Sequence, residues 1–252
     1  MHHIFINENQ IIENKVTVNH KDDFLNYNHL RNALRIKLNE KVLISINNKL
    51  SNDFYSEVSK ITNDDIILNI IEERPKNELD IKIVLYQGLP KFDKLEYIIE
   101  KAVELGVDTI IPVKMQTCVV KVDDKKIQSK IDRWNKISLS AATQSKRGII
   151  PIVKSPISFD EMINQIKDDK NSFVLYENSK SETIKNLDIL KNIDNNVNIV
   201  VGPEGGFADK EVKQVIDNNI KLITLGKRIL RTETAGLAIL SYIMLNAEYK
   251  KN

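Results

Sequence analysis

The chain of 252 residues has 42% hydrophobic and 29% charged residues and a net charge of +2, which suits one large or two ordinary folded domains and excludes a disordered chain. One cysteine, Cys118, and four scattered histidines exclude an internal disulfide and give no zinc-type spacing, so we expect no metal centre. No apolar run reaches the roughly 18 residues of a membrane span, and residues 1–6 lack a signal-peptide pattern, so we expect a cytoplasmic protein.

The N-terminal part alternates short β-branched runs with polar turns, which predicts a small β-barrel or sandwich. The predicted strands are Ile4–Ile6, Ile11–Val18, Lys41–Ile46, Phe54–Ile61 and Ile66–Ile71. Leu30 and Leu34 stand four residues apart within segment 29–35, which predicts one short helix. The charged segment 72–78, broken by Pro75, predicts a domain boundary, so we divide the chain into residues 1–72 and 73–252.

After residue 80, extended apolar runs alternate with segments of helical spacing, which predicts an α/β domain with a parallel sheet. The predicted strands are Ile81–Tyr86, Thr109–Val113, Phe173–Tyr176, Asn198–Val201 and Leu222–Leu225. The predicted helices are Asp93–Leu105, Lys125–Gln144, Asp209–Asn218 and Thr232–Ala247.

The last predicted helix is apolar on more than one face. Such a helix must be buried on nearly all sides, either at the centre of its domain or against a second copy of the chain. We favour the second arrangement, a homodimer.

Basic residues are concentrated in two segments. Nine basic and three acidic residues lie between positions 114 and 147, and four basic residues without an acid lie between positions 221 and 231. Such an excess suits a polyanion such as RNA, because each phosphate that a protein neutralises releases condensed counterions. A solvated surface explains either segment equally well when it is considered alone.

A glycine-rich motif follows the strand that ends at Val201, with the sequence Gly202-Pro203-Glu204-Gly205-Gly206-Phe207. Glycines at the carboxyl end of a strand let a ligand approach bare backbone where open α/β sheets bind their ligands, so we predict a small-molecule site. The spacing is neither G-x-G-x-x-G nor a P-loop, which argues against NAD and ATP. A plain turn is the alternative. We expect a valine at position 205 to abolish ligand binding and leave the fold intact.

A second unusual segment, residues 225–235, joins the last strand to the apolar C-terminal helix. It crowds charges and hydroxyls into a strand-to-helix loop, which indicates site residues. Helix capping explains Thr232 and Thr234 as well as a ligand role does. A surface ion pair is the alternative for Arg231 and Glu233.

Together the two segments resemble the paired cofactor motifs of the RsmE family, the ribosomal RNA uridine-N3 methyltransferases of the SPOUT superfamily. The second motif is Leu225-Gly226-x-Arg228-Ile229-Leu230-Arg231-Thr232-Glu233-Thr234-Ala235. The likeness extends over nearly the whole chain, through Lys91-x-Asp93-Lys94-x-Glu96, Lys101-Ala102-x-Glu104-Leu105-Gly106, Arg133-Trp134-x-Lys136-Ile137 and Ala141-Ala142-x-Gln144-Ser145-x-Arg147.

The resemblance implies a SPOUT-type methyltransferase domain with a trefoil knot, preceded by a PUA-like β-barrel that binds RNA, in a homodimer. It implies S-adenosylmethionine as cofactor and a uridine of 16S ribosomal RNA, within the small subunit, as substrate. We assign Arg231 to stabilise the anion that develops on the uracil, and Glu204 or Glu233 to accept the N3 proton. The target base must be unpaired or flipped, because N3 lies on its pairing edge.

Two sets of binding residues follow from this resemblance. The cofactor is expected to contact Tyr176, Glu177, Val201, Gly202, Gly205, Gly206, Leu225, Gly226, Ile229, Leu230, Thr232, Thr234 and Ala235. The RNA is expected to contact Arg31, Arg35, Lys91, Lys94, Lys121, Arg133, Lys136, Arg147 and Arg228.

Two positions depart from the family pattern. Phe92 stands where glycine is frequent, and Thr117-Cys118 stands where Arg-Ser is common, which bears on RNA affinity. Three other functions stay open: a non-catalytic RNA-binding factor in ribosome assembly, a SPOUT methyltransferase acting elsewhere on RNA, and a nucleotide-dependent dehydrogenase.

Overall fold

The computed structural model describes residues 1–48, 50–91, 94–120, 126–177, 193 and 195–249, and the chain divides into two compact units. The first unit comprises Met1–Glu78 and Ala142–Ile150, and the second comprises Leu79–Ala141 and Pro151–Asn252. The boundary predicted after residue 72 falls within a strand that continues to Arg74, whereas the contacts divide the chain after Glu78.

The first unit is built on a six-stranded sheet in the order β1-β4-β5-β6-β3-β2, in which only the β1–β4 pair is parallel. Its strands are β1 (His2–Ile6), β2 (Ile11–Ile12), β3 (Lys15–Asn19), β4 (Lys41–Ile46), β5 (Asp53–Ile61) and β6 (Asp65–Arg74). Each predicted run contains strand, but Ile11–Val18 is a hairpin rather than one strand. Glu13 and Asn14 turn the chain there with φ angles of 48° and 59°, as a tight hairpin turn requires.

The helical segment of the first unit begins earlier than predicted. Helix α1 (Phe24–Asn28) starts at Asp23, whose carboxylate accepts a hydrogen bond from a backbone N–H of the first turn. A π-helical turn over His29–Ala33 follows and buries Leu30 in the core. The apolar pattern located Leu30 but not the start of α1, because the first two residues of that helix are exposed.

The second unit contains a seven-stranded sheet in the order β10-β8-β7-β12-β11-β13, with β9 also paired to β8. Its strands are β7 (Lys82–Gly88), β8 (Thr109–Lys114), β9 (Ile152–Val153), β10 (Ile157–Ser158), β11 (Ser172–Leu175), β12 (Asn196–Val201) and β13 (Lys221–Ile223). Every pairing is parallel, which confirms the predicted α/β domain.

The helices of the second unit include one that the sequence did not reveal. They are α2 (Lys94–Glu104), α3 (Ile127–Ser145, whose residues from Ala142 onward belong to the first unit), α4 (Phe159–Ile166), α5 (Asp209–Asp217) and α6 (Thr232–Tyr249). The short helix α4 was missed together with the two-residue strands β9 and β10. It begins in a capping box, in which Ser158 accepts from the backbone of Glu161 and the Glu161 carboxylate accepts from the backbone of Ser158.

The C-terminal helix α6 packs against α2 and β12 along one side. Thr232, Gly236, Ile239, Leu240 and Ile243 are buried there. The opposite side carries Leu245, which is 48% exposed, and Tyr249, which is 68% exposed. A central position within the domain, one of the two predicted arrangements, is therefore wrong.

A buried histidine lies in the first unit. His3 is 3% exposed, and its ring nitrogens lie 2.9 Å from the Ser45 hydroxyl and 3.3 Å from the Thr143 carbonyl oxygen. Burial lowers the pKa of His3 and outweighs the Thr143 hydrogen bond and the Asp53 charge, which raise it, while Lys76 adds to the lowering. The ring is therefore neutral in the folded protein near neutral pH.

We expect His3 to make the free energy of unfolding decrease as the pH falls from about 7 towards 5. The unfolded histidine titrates near its ordinary pKa of about 6.5, whereas the folded one takes up a proton only at lower pH. The unfolded state thus binds more protons in this interval, and stability rises with pH. Urea denaturation at several pH values should show that the free energy of unfolding depends less steeply on pH in His3→Asn than in wild type. His20→Asn, at an exposed position, is the control, and equal slopes for wild type and His3→Asn would contradict the prediction.

Candidate active site

The carboxyl ends of β12, β11 and β13 lie side by side, and a cleft of about 440 Å³ opens at this edge of the sheet. Its volume lies within the range of about 300–1,000 Å³ that is common for small-molecule sites. The residues that line it are Lys94, Leu175, Glu177, Val201, Gly202, Pro203, Glu204, Gly205, Gly206, Phe207, Ile229, Leu230, Arg231, Thr232 and Ala235. A smaller pocket of about 50 Å³ adjoins it, lined in part by Tyr176, Thr224, Leu225 and Arg228.

Thr232 fixes the start of α6 against the end of β12. Its hydroxyl donates a hydrogen bond to the Gly202 carbonyl oxygen at 2.5 Å and accepts one from the Gln87 side chain at 2.8 Å. Gln87, in β7, is fully buried, and Thr232 is 6% exposed. Because β13 lies beyond β11, the segment 224–231 must return past the end of β11 to reach this position. One wall of the cleft is this returning segment.

The glycine motif 202–207 forms the opposite wall and packs against the segment that follows β8. A Cβ atom on Gly205 would lie 2.8 Å from the Cβ of Thr117. The Thr117 hydroxyl donates to the Gly206 carbonyl oxygen at 2.5 Å, and Gly206 has a φ of 68°. Thr117 thus occupies the space beside Gly205, so a side chain added at position 205 has to displace Thr117 or the glycine motif.

The buried carboxylate of Glu211 stabilises the chain next to the glycine motif. Glu211 is 5% exposed, and its two oxygens accept hydrogen bonds from the backbone of Gln116 at 2.8 Å and of Ala208 at 2.9 Å. Ala208 has no capping side chain, so Glu211 satisfies the free N–H at the start of α5. The Phe207 ring lies 6.4 Å from the ring of Tyr176. These contacts hold the last residue of the glycine motif and the residue that follows it.

Lys94, at the start of α2, bridges two carboxylates of the cleft. Its Nζ lies 3.1 Å from Oε1 of Glu204 and 3.6 Å from Oε2 of Glu233. Glu204 also accepts a hydrogen bond from the backbone N–H of Lys91 at 3.0 Å. The Glu233 oxygen is buried without a hydrogen bond, because 3.6 Å suits an ion pair but exceeds hydrogen-bonding distance. Glu233 thus pairs with Lys94, and the described residues show no ion pair between Glu233 and Arg231, which was the alternative for these two side chains.

The protonation of these groups follows from their contacts. Burial by itself raises the pKa of Glu204, but hydrogen bonds from backbone N–H groups and the Lys94 ammonium outweigh it, so the net pKa lies below the usual range. The hydrogen bond to Glu204 is the main cause of the raised pKa of Lys94. Both groups are charged at neutral pH, and Glu204 is a weak proton acceptor.

The structure brings most of the predicted cofactor residues together. Nine line the cleft: Glu177, Val201, Gly202, Gly205, Gly206, Ile229, Leu230, Thr232 and Ala235. Tyr176 and Leu225 line the adjoining pocket, whereas Gly226 and Thr234 line neither. Of the predicted catalytic residues, Arg231 and Glu204 line the cleft, and Glu233 approaches it through Lys94.

Sequence reasoning missed several lining residues. Pro203 and Phe207 stand in the glycine motif, and Leu175 ends β11, so their positions in the sequence could have indicated them. Lys94 carried no such signal. Its carboxylate partners are far away in the sequence, and it was assigned to RNA instead.

The predicted RNA contacts differ in exposure. Arg31, Arg35, Lys91, Lys136 and Arg228 are exposed. Arg133 pairs with Glu96 at 2.7 Å yet keeps a side chain that is 66% exposed. Lys121 lies outside the described residues.

Arg147 does not fit the predicted set of RNA-binding residues. It is 4% exposed and forms an ion pair with Glu78 within the first unit. A guanidinium that is buried and paired in this way cannot present its charge to a phosphate at the surface. The sequence showed the charge of Arg147 but not its partner.

Two negative findings concern the described residues. None of the helices in these ranges is long and apolar enough to cross a membrane. The same residues contain no group of three or more His, Cys, Asp or Glu side chains placed to hold a metal ion.

Comparison with known proteins identifies the family. Residues 77–244 match the family described as RNA methyltransferase domain. The chain is 36% identical over 228 residues to the ribosomal RNA small subunit methyltransferase E of Bacillus subtilis, covering 87% of each protein. This chain belongs to that methyltransferase family. The Mesomycoplasma hyopneumoniae member is 33% identical, with 96% of this chain and 98% of that protein covered. The crystal structure of the Neisseria gonorrhoeae member bound to S-adenosylmethionine superimposes with a TM-score of 0.82 at 28% identity, covering 97% of each chain.

We expect Gly205→Ala to displace the glycine motif of this family member. Its new Cβ would overlap Thr117, an overpacking that costs about 1–3 kcal/mol. Urea denaturation should show the loss, and Gly205→Ala should cost less in a Thr117→Gly background than in wild type, because the obstructing Cβ is gone there. If the two substitutions change the free energy of unfolding by the sum of their separate effects, this explanation is contradicted.

Proposed function

We propose that this protein transfers a methyl group from S-adenosylmethionine to N3 of a uridine in 16S ribosomal RNA, within the small subunit and in the cytoplasm. One observation carries the proposal: in a chain of the methyltransferase E family, the glycine motif and the Arg231 segment meet in a single cleft. The bound S-adenosylmethionine in the Neisseria relative supports the choice of cofactor.

The chemistry of the cleft suits this cofactor, which when bound supplies an activated methyl group on a positively charged sulfur. Gly202 and Gly206 offer bare backbone, and Glu177 offers negative charge. Ile229 is 80% exposed at the lining of the cleft. An exposed isoleucine of this kind gains apolar burial when a ligand covers it.

The residues of the cleft divide the remaining chemistry. Arg231 is exposed, and its charge would stabilise the anion that develops on the uracil as the N3 proton leaves. Glu204, one of the two candidate acceptors, is a weak one because its pKa is lowered and its oxygens already accept hydrogen bonds. Glu233 keeps one oxygen without a hydrogen bond. We therefore keep both Glu204 and Glu233 as candidate acceptors of the N3 proton, and assign most of the rate enhancement to the positioning of the two reactants.

We also propose the finer architecture of the family for this chain. The return of segment 224–231 to the end of β12 supports a trefoil knot in a SPOUT domain over residues 73–252. The curled first sheet, with Arg31 and Arg35 exposed, supports a PUA-like RNA-binding barrel over residues 1–72. The exposed apolar residues Leu245 and Tyr249 support a homodimer through α6.

The proposed function predicts methyl transfer to immature small subunits in vitro. Labelled S-adenosylmethionine should give labelled 3-methyluridine after nuclease digestion and mass analysis. Arg231→Met should lower kcat by about 10²–10³-fold, the usual loss when a donor to a developing anion is removed.

The same assay separates the alternatives. RNA binding without any methylated nucleoside would favour an assembly factor. A different methylated nucleoside would favour another target. An absorbance change with NADH and a candidate substrate would favour a dehydrogenase.

RNA binding should depend on the exposed basic residues at the start of α3, namely Lys126 and Lys130. Lys125, in the same basic segment, lies outside the described residues. Each phosphate contact contributes about 0.9 to the slope of log K against log salt on a duplex and about 0.7 on a single strand. We expect Lys126→Glu/Lys130→Glu to weaken RNA binding and reduce that slope by up to about 2. Lys210→Glu/Lys213→Glu, two exposed lysines of α5, is the control, and equal slopes for both double variants would exclude this surface.

A further inference from the structure

We propose that Lys94 is a positioning residue for the cofactor. Its ion pairs with Glu204 and Glu233, together the clasp, link the two walls of the cleft and set the distance between them. The identity of that ligand rests on the proposed function. The clasp itself rests on the geometry of three charged side chains.

The two carboxylates that Lys94 contacts belong to different walls. Glu204 stands in the glycine motif after β12, whereas Glu233 stands in the first turn of α6. The Lys94 ammonium lies 3.1 Å from the first and 3.6 Å from the second, from a third element, α2. One cation therefore links three separate parts of the chain.

This link differs in depth from the Thr232 hydrogen bond to Gly202, which joins the same walls. Thr232 is 6% exposed, whereas the Lys94 side chain is 35% exposed. The hydroxyl thus links the walls through a buried contact, and the ammonium links them through a contact that is partly exposed to solvent.

Removal of the ammonium would leave Glu204 and Glu233 on facing walls without the cation between them. Like charges at short range repel, and Glu233 has a buried oxygen for which Lys94 is the partner that the described residues provide. The two walls would then move apart beside residue 94. This role contrasts with the RNA contact predicted from the sequence, because a phosphate would have to compete with two carboxylates for Lys94.

Calorimetry with S-adenosylmethionine tests the clasp. We expect Lys94→Met to weaken binding at least about tenfold, as removal of one partner of a partly buried charge pair does. Lys94→Arg should restore most of the affinity because it keeps the charge. Lys101→Met is the matched control: Lys101 lies on the same helix and pairs with two carboxylates, Glu100 and Glu104, at 2.8 Å each. Its affinity should equal that of wild type.

A double-mutant cycle and an RNA titration complete the test. Without ligand, the changes in thermal midpoint caused by Lys94→Met and by Glu204→Gln should not add up in the double variant. Removing the Glu204 charge relieves its repulsion with Glu233. The salt slope of RNA binding should stay unchanged in Lys94→Met. Normal cofactor affinity in Lys94→Met with a smaller salt slope would overturn the clasp and restore the RNA contact. Failure of wild type to bind the cofactor would overturn the proposed function, and the midpoint cycle would still decide the clasp, because additive midpoints would refute it.

Discussion

The hydrogen bond from the Thr232 hydroxyl to the Gly202 carbonyl is the interaction on which the cleft depends. Strand β13 lies two places from β12 in the sheet, so the chain that leaves β13 must double back before α6 can start beside β12. The fully buried Gln87 fixes the threonine from the neighbouring strand. When the start of α6 is fixed beside the end of β12 in this way, the segment 224–231 has to face the glycine motif. The cleft between them follows from this chain path.

Electrostatic balance is the second requirement of this arrangement. A positively charged cofactor is served by carboxylates in the cleft, whereas an RNA substrate is repelled by them. Lys94 balances the charges of Glu204 and Glu233 by direct contact. In the proposed function, the exposed Arg231 then supplies the positive charge for the substrate.

Support for the glycine motif comes from outside the cleft. Thr117 binds the backbone of Gly206, Glu211 binds the backbone of Ala208 just after the motif and that of Gln116, and neither side chain lines the cleft itself. Thr117, where the resemblance drawn from the sequence leads one to expect arginine, packs against Gly205 and donates a hydrogen bond to the Gly206 carbonyl oxygen.

The sequence by itself determined the alternating strands and helices, the α/β class and the two motifs of the cleft, because periodicity and glycine placement are local properties of the chain. Short elements such as α4, β9 and β10 gave too few residues for a period to show. Tertiary structure alone decided the strand order, the incomplete burial of α6, the burial of Arg147 against Glu78 and the pairing of Lys94 with two distant carboxylates. Each of these depends on which residues meet across long stretches of chain, and the charge or polarity of a single side chain does not specify its partner.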